Sequence, residues 1–534
     1  MEQEVCKMKI LNPILKGFNP DPSMLRVGED YYIATSTFEW FPGVQIHHSK
    51  DLINWHLITR PLNRTSQLDM RGNPNSGGIW APCLSYCNGT YYLIYTDVKS
   101  WSDSSFKDTH NYLVTTNDIC GEWSEPIYLN SSGFDPSLFH DDDGKKWFVN
   151  MLWDHRQGKN QFGGILLQEY SNTEKKLVGP VKNIFTGTNI KLTEGPHLYK
   201  RNGYYYLLTA EGGTSYEHAV TFARSKNIMG PYEVHPSNPI LTSRYNANLP
   251  LQKAGHASLV ETQDGLWYLA HLTGRPIGRK GRCVLGRETA IQKMEWGEDE
   301  WIRLASGGNE PESLVEAPNF NLHPWEAPLS KDDFNVEELN INYQSLRRPQ
   351  DESFLSLKER PGYLRLKGRE SLASKFDQCL IARRQTAFSY VASTVIEFEP
   401  DNFQQMAGLI CFYDTDNYYY LNISKDESVG KCLSIITSDK GKNYEPLDNV
   451  ISMGEASRIY LKAEVNYDLL GFFYSIDGVN WTLVGHQLDY SILSDENSVN
   501  GIAFTGAFIG LCCQDLSGMR KHADFDFFEY VEIE

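Results

Sequence analysis

No run of about 18 consecutive apolar residues occurs anywhere in the 534-residue chain, which excludes a membrane-spanning helix of ordinary length. The first ten residues, Met1 to Ile10, are charged and carry neither an apolar core segment nor a small-residue cleavage site, so no secretory leader is read there and a cytoplasmic location is expected. The ten cysteines are scattered, with no C-x-x-C pair and no histidine cluster at zinc-like spacing; reduced thiols are expected. Positive charge is in deficit. Lys and Arg total 50 against 68 Asp and Glu, a formal net charge of −18, which argues against non-specific binding to nucleic acid or anionic lipid. No convincing helical periodicity and no low-complexity tract is found. What the chain does have is aromatic rings: 12 Trp, 30 Tyr and 25 Phe, too many packing residues for a disordered polymer.

The rings are organised. A turn glycine followed by aromatic and β-branched residues recurs five times. The copies are Gly28-Glu29-Asp30-Tyr31-Tyr32-Ile33, Gly89-Thr90-Tyr91-Tyr92-Leu93, Gly144-Lys145-Lys146-Trp147-Phe148, Gly203-Tyr204-Tyr205-Tyr206-Leu207 and Gly265-Leu266-Trp267-Tyr268-Leu269. Each reads as a hairpin entering a buried strand. The spacing of 55 to 62 residues suits one four-stranded blade per repeat, and five blades make a β-propeller over residues 1–305. Residues 306–332, rich in Gly, Pro, Asn and Glu, read as a linker or strap. From 333 to 534 the pattern changes to long alternating runs such as Ala392-Ser393-Thr394-Val395-Ile396-Glu397-Phe398, with Asp477-Gly478 as a tight turn, which predicts an antiparallel β-sandwich. The fold class is all-β.

Before each glycine signature lies a second repeated element, and its equivalent positions are read as Asp21, Ala81 (preceded by Trp80), Asp135, Glu194 and His256. In a propeller these point into one central funnel. Asp-Pro also starts ordinary turns. Three acids at one repeat phase are better explained by use, because burying like charges together is costly. An acid pair in an aromatic cleft suits glycoside hydrolysis, where one carboxylic acid protonates the leaving oxygen and one carboxylate acts as base or nucleophile. A third carboxylate can keep the acid protonated. Asp141-Asp142-Asp143-Gly144 lacks the further ligands of an EF-hand and is read as an exposed turn; His218 belongs to no HExxH motif.

Asn19-Pro20-Asp21-Pro22-Ser23, Phe134-Asp135-Pro136-Ser137 and Thr193-Glu194-Gly195-Pro196 resemble the motifs of glycoside hydrolase family 43. The run Tyr31 to Gly43, Glu211-Gly212-Gly213-Thr214, Gly286-Arg287-Glu288-Thr289 and Phe504-Thr505-Gly506-Ala507-Phe508-Ile509-Gly510-Leu511 are similar to its β-xylosidase branch. The resemblance implies a five-bladed propeller with a laminin-G or concanavalin-like sandwich. It implies an inverting exo-hydrolase releasing xylose from the non-reducing ends of xylo-oligosaccharides, with α-L-arabinofuranosidase activity as a side reaction or as the main alternative. It assigns Asp21 as general base, Glu194 as general acid and Asp135 as the group that raises and orients the acid. Phe38, Trp80, Thr214 and Arg287 would bind the sugar, and Phe508 would close the pocket from the sandwich. His256 would sit beside a metal ion, such as calcium, or a water in the channel; no cofactor is otherwise required. Dimers or tetramers are implied as assemblies. A non-catalytic sugar-binding protein is the reading from another class, set aside because binding alone has no need of a protonated acid.

Overall fold

The computed structural model describes residues 8–102, 104–499 and 501–533; the segment 1–7, on which the leader reading rests, lies outside them, as does Cys6. Five antiparallel sheets follow one another along the chain, each built from one contiguous stretch. The first holds strands Ser23–Val27, Asp30–Thr35, Gln45–Ser49 and His56–Thr59; the second Gly78–Cys87, Thr90–Ser100, Asp108–Thr116 and Ile127–Asn130. The third holds Ser137–His140, Lys146–Trp153, Phe162–Ser171 and Lys176–Phe185. The fourth begins with Glu194–Arg201 and Tyr204–Glu211, and the fifth with Gln252–Glu261 and Trp267–Gly274. The glycine-aromatic signature is thus the second strand of every sheet. Tyr31, Ile33, Leu93, Val149, Tyr206, Leu207 and Leu269 are fully buried there, as strands packed on both faces require.

The five first strands touch one another in a closed ring, which defines the propeller axis. Hydroxyls two residues after three of the five axial positions tie neighbouring blades. Ser23 Oγ accepts from Leu84 N at 3.0 Å, and Ser258 Oγ accepts from Met24 N while donating to the Pro22 carbonyl, both at 2.8 Å. Ser137 Oγ donates to the Pro196 carbonyl at 2.6 Å. The serine of Asp-Pro-Ser is therefore an inter-blade clamp. Lys9–Leu11 pairs with Leu314–Glu316 beside the first and last blades, so the strap contributes a strand of its own.

The remaining strands form two nine-stranded sheets, packed face to face over a core that includes Tyr390, Leu409, Leu421, Leu461 and Phe525. One of these sheets is finished by the propeller. Trp40–Phe41 leaves the first blade and pairs with Gln344–Leu346, Ser345 opposite Phe41 and Leu346 opposite Trp40. A second core runs across the junction, joining Phe18, Phe38, Trp40 and Trp80 to Phe412, Tyr418 and Phe508. A shared core and a shared sheet fix the two bodies more firmly than a polar domain contact would.

Candidate active site

The same backbone anomaly recurs at or near the start of each first strand. Asp21, Ala81, Asp135, Gly195 and His256 all have positive φ, at 56°, 31°, 54°, 57° and 40°. Left-handed backbone costs a non-glycine residue about 1–2 kcal/mol. Ala81 has no chemistry to perform, so the strain belongs to the repeat: the chain turns sharply just before the strand in the first and third blades and at a break in register within it in the second, fourth and fifth. This register corrects one expectation. Counting back two from the paired residues Ser23, Cys83, Ser137, His197 and Ser258, the fourth position is Gly195. Glu194 stands one residue earlier, in phase with Trp80 and Phe134.

Asp21, Trp80, Phe134, Asp135 and Glu194 line one cavity of about 710 Å³, together with Phe38, Thr214, Arg287 and His256. Asp21 is buried; its Oδ2 accepts from Ser36 Oγ at 2.7 Å and its Oδ1 lies 3.1 Å from Arg287 Nη1. Burial alone would raise this carboxyl, but Arg287 and the Ser36 bond outweigh it and hold Asp21 below the ordinary carboxylate range. Glu194 has the opposite fate. Burial, then the Asp21 charge, push it up to about 8 against the pull of Arg287 and Lys107. Asp135 is also driven well upward, by burial and then by Glu194 and Asp21, while the Gly195 N–H at 3.0 Å from its Oδ2 works the other way. Asp135 and Glu194 act on each other, each buried carboxyl favouring a proton on the other, and burial and the Asp21 charge push both upward. At neutral pH the site holds one firmly ionised carboxylate beside carboxyls that favour their protons.

Arg287 is buried and does more than balance charge. Nη1 also donates to Thr214 Oγ1 at 2.8 Å, and Nη2 donates to the Phe504 carbonyl at 2.9 Å. His256 Nδ1 lies 3.7 Å from Asp21 Oδ1; burial lowers its pKa, so a neutral ring is favoured. Its ring packs on Gly195, where a Cβ would sit 3.2 Å away. Among the described residues no three His, Cys, Asp or Glu side chains are grouped as metal ligands. One neutral imidazole and one carboxylate already bound to Arg287 do not by themselves make a calcium site, which takes six to eight oxygens.

The aromatic wall departs from expectation at one residue. Phe508 does not line the cavity. It is fully buried behind it, stacked on Trp40 with centroids 3.8 Å apart. The sandwich instead supplies Phe504, whose ring lies 5.9 Å from Phe38, 5.5 Å from Trp80 and 5.1 Å from Trp101. Phe508 opens a strand and faces the shared core, whereas Phe504 precedes the strand and is free to turn into the cleft. Trp80 is positioned by a bond from Nε1 to the Ser76 carbonyl at 2.8 Å. Sequence reasoning missed Trp101, Lys107, Trp153 and Phe162 at the outer part of the cavity. They lie in loops and at strand ends, where no periodicity marks them. Lys107 Nζ bonds the Trp101 carbonyl at 2.8 Å and sits 4.3 Å above the Trp153 ring; burial brings it down to about 8. Asp141 is engaged by Lys200 Nζ at 2.6 Å and Tyr205 Oη at 2.8 Å, the pairing of a structural turn.

Comparison with known proteins places this arrangement among relatives. The model of glycosyl hydrolases family 43 matches residues 10–302, and that of the beta xylosidase C-terminal concanavalin A-like domain matches residues 331–531. A beta-xylosidase of Bacillus subtilis (strain 168) is 55% identical, covering 98% of this chain and 100% of its own. A xylosidase/arabinosidase 43B of Humicola insolens is 53% identical, covering 98% of each. The crystal structure of a xylan beta-1,4-xylosidase from Bacillus halodurans C-125 superposes with a TM-score of 0.97 at 58% identity, covering 98% of this chain and 100% of that one.

Proposed function

The chain belongs to glycosyl hydrolase family 43, and from that premise we propose that it is an inverting exo-β-xylosidase acting on β-1,4-xylo-oligosaccharides, with α-L-arabinofuranoside cleavage as a second activity. The observation that carries the reading is the split between Asp21 and Glu194. One buried carboxyl is held ionised by Arg287 and Ser36, the other is held protonated, and both face the same cavity. Glu194 then donates its proton to the glycosidic oxygen as the C–O bond breaks. Asp21 takes a proton from a water that attacks the anomeric carbon from the opposite face, so the β-linked sugar leaves as the α-anomer. Asp135, bonded to the Gly195 N–H, fixes the backbone that carries Glu194. Arg287 and Thr214 present donors and acceptors to the sugar hydroxyls, and Phe38, Trp80 and Phe504 enclose its apolar faces. Closure by Phe504 makes the cleft a pocket that admits a chain end. The second activity is supported by the name of the Humicola relative.

The test is hydrolysis of xylobiose followed by proton NMR. α-Xylose as the first anomer supports the reading; β-xylose would show retention and turn Asp21 into a nucleophile. Asp21→Ala and Glu194→Ala should each lower kcat on xylobiose by at least about 10²–10⁴. Full activity in either variant would remove that residue from its role. Initial rates on nitrophenyl xyloside and nitrophenyl arabinofuranoside fix the ratio of the two activities. Turnover is expected to survive chelator, since protein groups alone carry each proton transfer.

A further inference from the structure

One cluster at the cavity wall is used by none of these steps. Lys253, on the first strand of the fifth blade, is buried with positive φ of 58°, an unusual backbone for a long side chain. Its Nζ lies 2.5 Å from Glu496 Oε1 and 3.5 Å from Asp495 Oδ2, both on the sandwich. All three side chains line the cavity. Neighbouring bonds make the same crossing: Cys283 N donates to Glu496 Oε2 at 2.9 Å and Arg282 Nη2 to Asn497 Oδ1 at 2.7 Å. On the sandwich side, the Tyr413 hydroxyl donates to Asp495 Oδ1 at 2.6 Å and accepts from Thr505 N at 3.2 Å. One tyrosine thus gathers both ends of the segment that carries Phe504.

We propose that Lys253 is a positioning residue for sugar binding. Its ammonium anchors Asp495 and Glu496 across the domain junction, and that anchor sets where the Phe504 ring and carbonyl meet the sugar and Arg287. The physical basis is the asymmetry of buried ion pairs: removing Lys253, itself buried, leaves Asp495 and Glu496 as adjacent uncompensated charges, which drives the segment to shift toward water. Beyond the anchor Val499 is 53% and Ile502 55% exposed, and the next fixed point is Phe504 itself, whose N–H donates to Ser76 Oγ at 3.0 Å. The proposal rests on reading the cavity as the xyloside pocket, and its test therefore includes a measurement that needs no substrate.

In Lys253→Met, amide hydrogen exchange at residues 495–498 and 503–505 should accelerate about tenfold or more, with the distant blades unchanged. KM for xylobiose should rise about tenfold while kcat stays within about threefold, the signature of lost binding rather than lost chemistry. Combining Lys253→Met with Phe504→Ala should raise KM little beyond Phe504→Ala alone, because both remove one contact. Glu496→Gln is the milder variant, expected to move exchange and KM in the same directions by about threefold, and it serves if Lys253→Met does not fold. Unchanged exchange in the segment of a folded variant, or fully additive effects on KM, would overturn the anchor. If wild-type protein cleaves no xyloside, the proposed function fails, while the exchange measurement still decides the anchor.

Discussion

Arg287 Nη2 donates to the Phe504 carbonyl at 2.9 Å, while Nη1 of the same guanidinium holds Asp21 at 3.1 Å. One propeller side chain therefore reads the position of the sandwich and reports it to the ionised carboxylate. The sandwich is part of the site, and its loss would be felt in binding before chemistry.

Phe504→Ala follows directly. The variant keeps the backbone carbonyl and loses a ring that touches Phe38, Trp80 and Trp101. The ring acts on ground state and transition state alike, so KM for xylobiose should rise about tenfold with a smaller change in kcat. Phe508→Leu makes the contrast: it should leave KM near wild type and lower stability by about 1–2 kcal/mol, since Phe508 packs on Trp40 and not on the sugar. Steady-state kinetics and thermal melts on both variants check the pair.

The pH profile of kcat/KM should be broad and asymmetric. Glu194 must keep its proton, so activity is lost as pH rises through about 8. Asp21 must be ionised, so the acid limb falls below the ordinary carboxylate range, where that group finally protonates. Glu194→Gln should abolish the alkaline limb in whatever activity remains on an aryl xyloside, whose leaving group needs no acid. An alkaline limb that persists unchanged in the variant would assign it to another group.

Sequence pattern carries the five blades, the sandwich and the three acids because glycine turns and buried aromatic strands repeat at fixed spacing. It does not carry the register at Glu194, since a one-residue offset leaves Glu-Gly-Pro and Asp-Pro-Ser looking alike; only the shared left-handed backbone at Gly195 separates them. Phe504 and Phe508 lie four residues apart on either side of a strand start, and alternation says nothing about the residue before a strand. Trp40–Phe41 pairing with Gln344–Leu346 joins segments some 300 residues apart, which no local signal encodes. Lys253 was invisible for the same reason: its partners are on the other domain.

Gly195→Ala tests the funnel backbone. The new Cβ would meet the His256 ring at 3.2 Å and would sit on a φ of 57° that disfavours it. A destabilisation of about 1–2 kcal/mol is expected from the backbone alone. Because the Gly195 N–H holds Asp135 Oδ2 and the preceding residue is Glu194, kcat should fall more than KM rises. Ala substitution at Gly203, whose Cβ would meet nothing within 4 Å but whose φ of 77° is also left-handed, should cost similar stability and leave kcat near wild type.

The raised pKa of Glu194 is also a statement about stability. In the unfolded chain this carboxyl titrates near 4.3; in the folded site it holds its proton up to about 8. The folded state therefore binds more protons between those limits, and stability falls as pH rises across the window. Below about pH 4 both states are protonated and the contribution is complete; above about 8 the fold must carry a buried, poorly compensated anion. Glu194→Gln removes that titration while keeping size and polarity. The variant should melt within about a degree of wild type at pH 4 and several degrees above it at pH 8, at the expense of activity. Asp524 supplies the opposite sign as an internal control. Burial would raise it, but the bonds from Arg365 and Arg360 outweigh that and hold it low, so its contribution is present at neutral pH and lost only as pH falls through its depressed value. Asp524→Asn should therefore cost stability at pH 8 and little in strong acid. Melting curves of the two variants at both ends of the range separate the strained site from the stabilising ion pair, and equal melting shifts for Glu194→Gln at pH 4 and pH 8 would show that Glu194 is not held protonated by the fold.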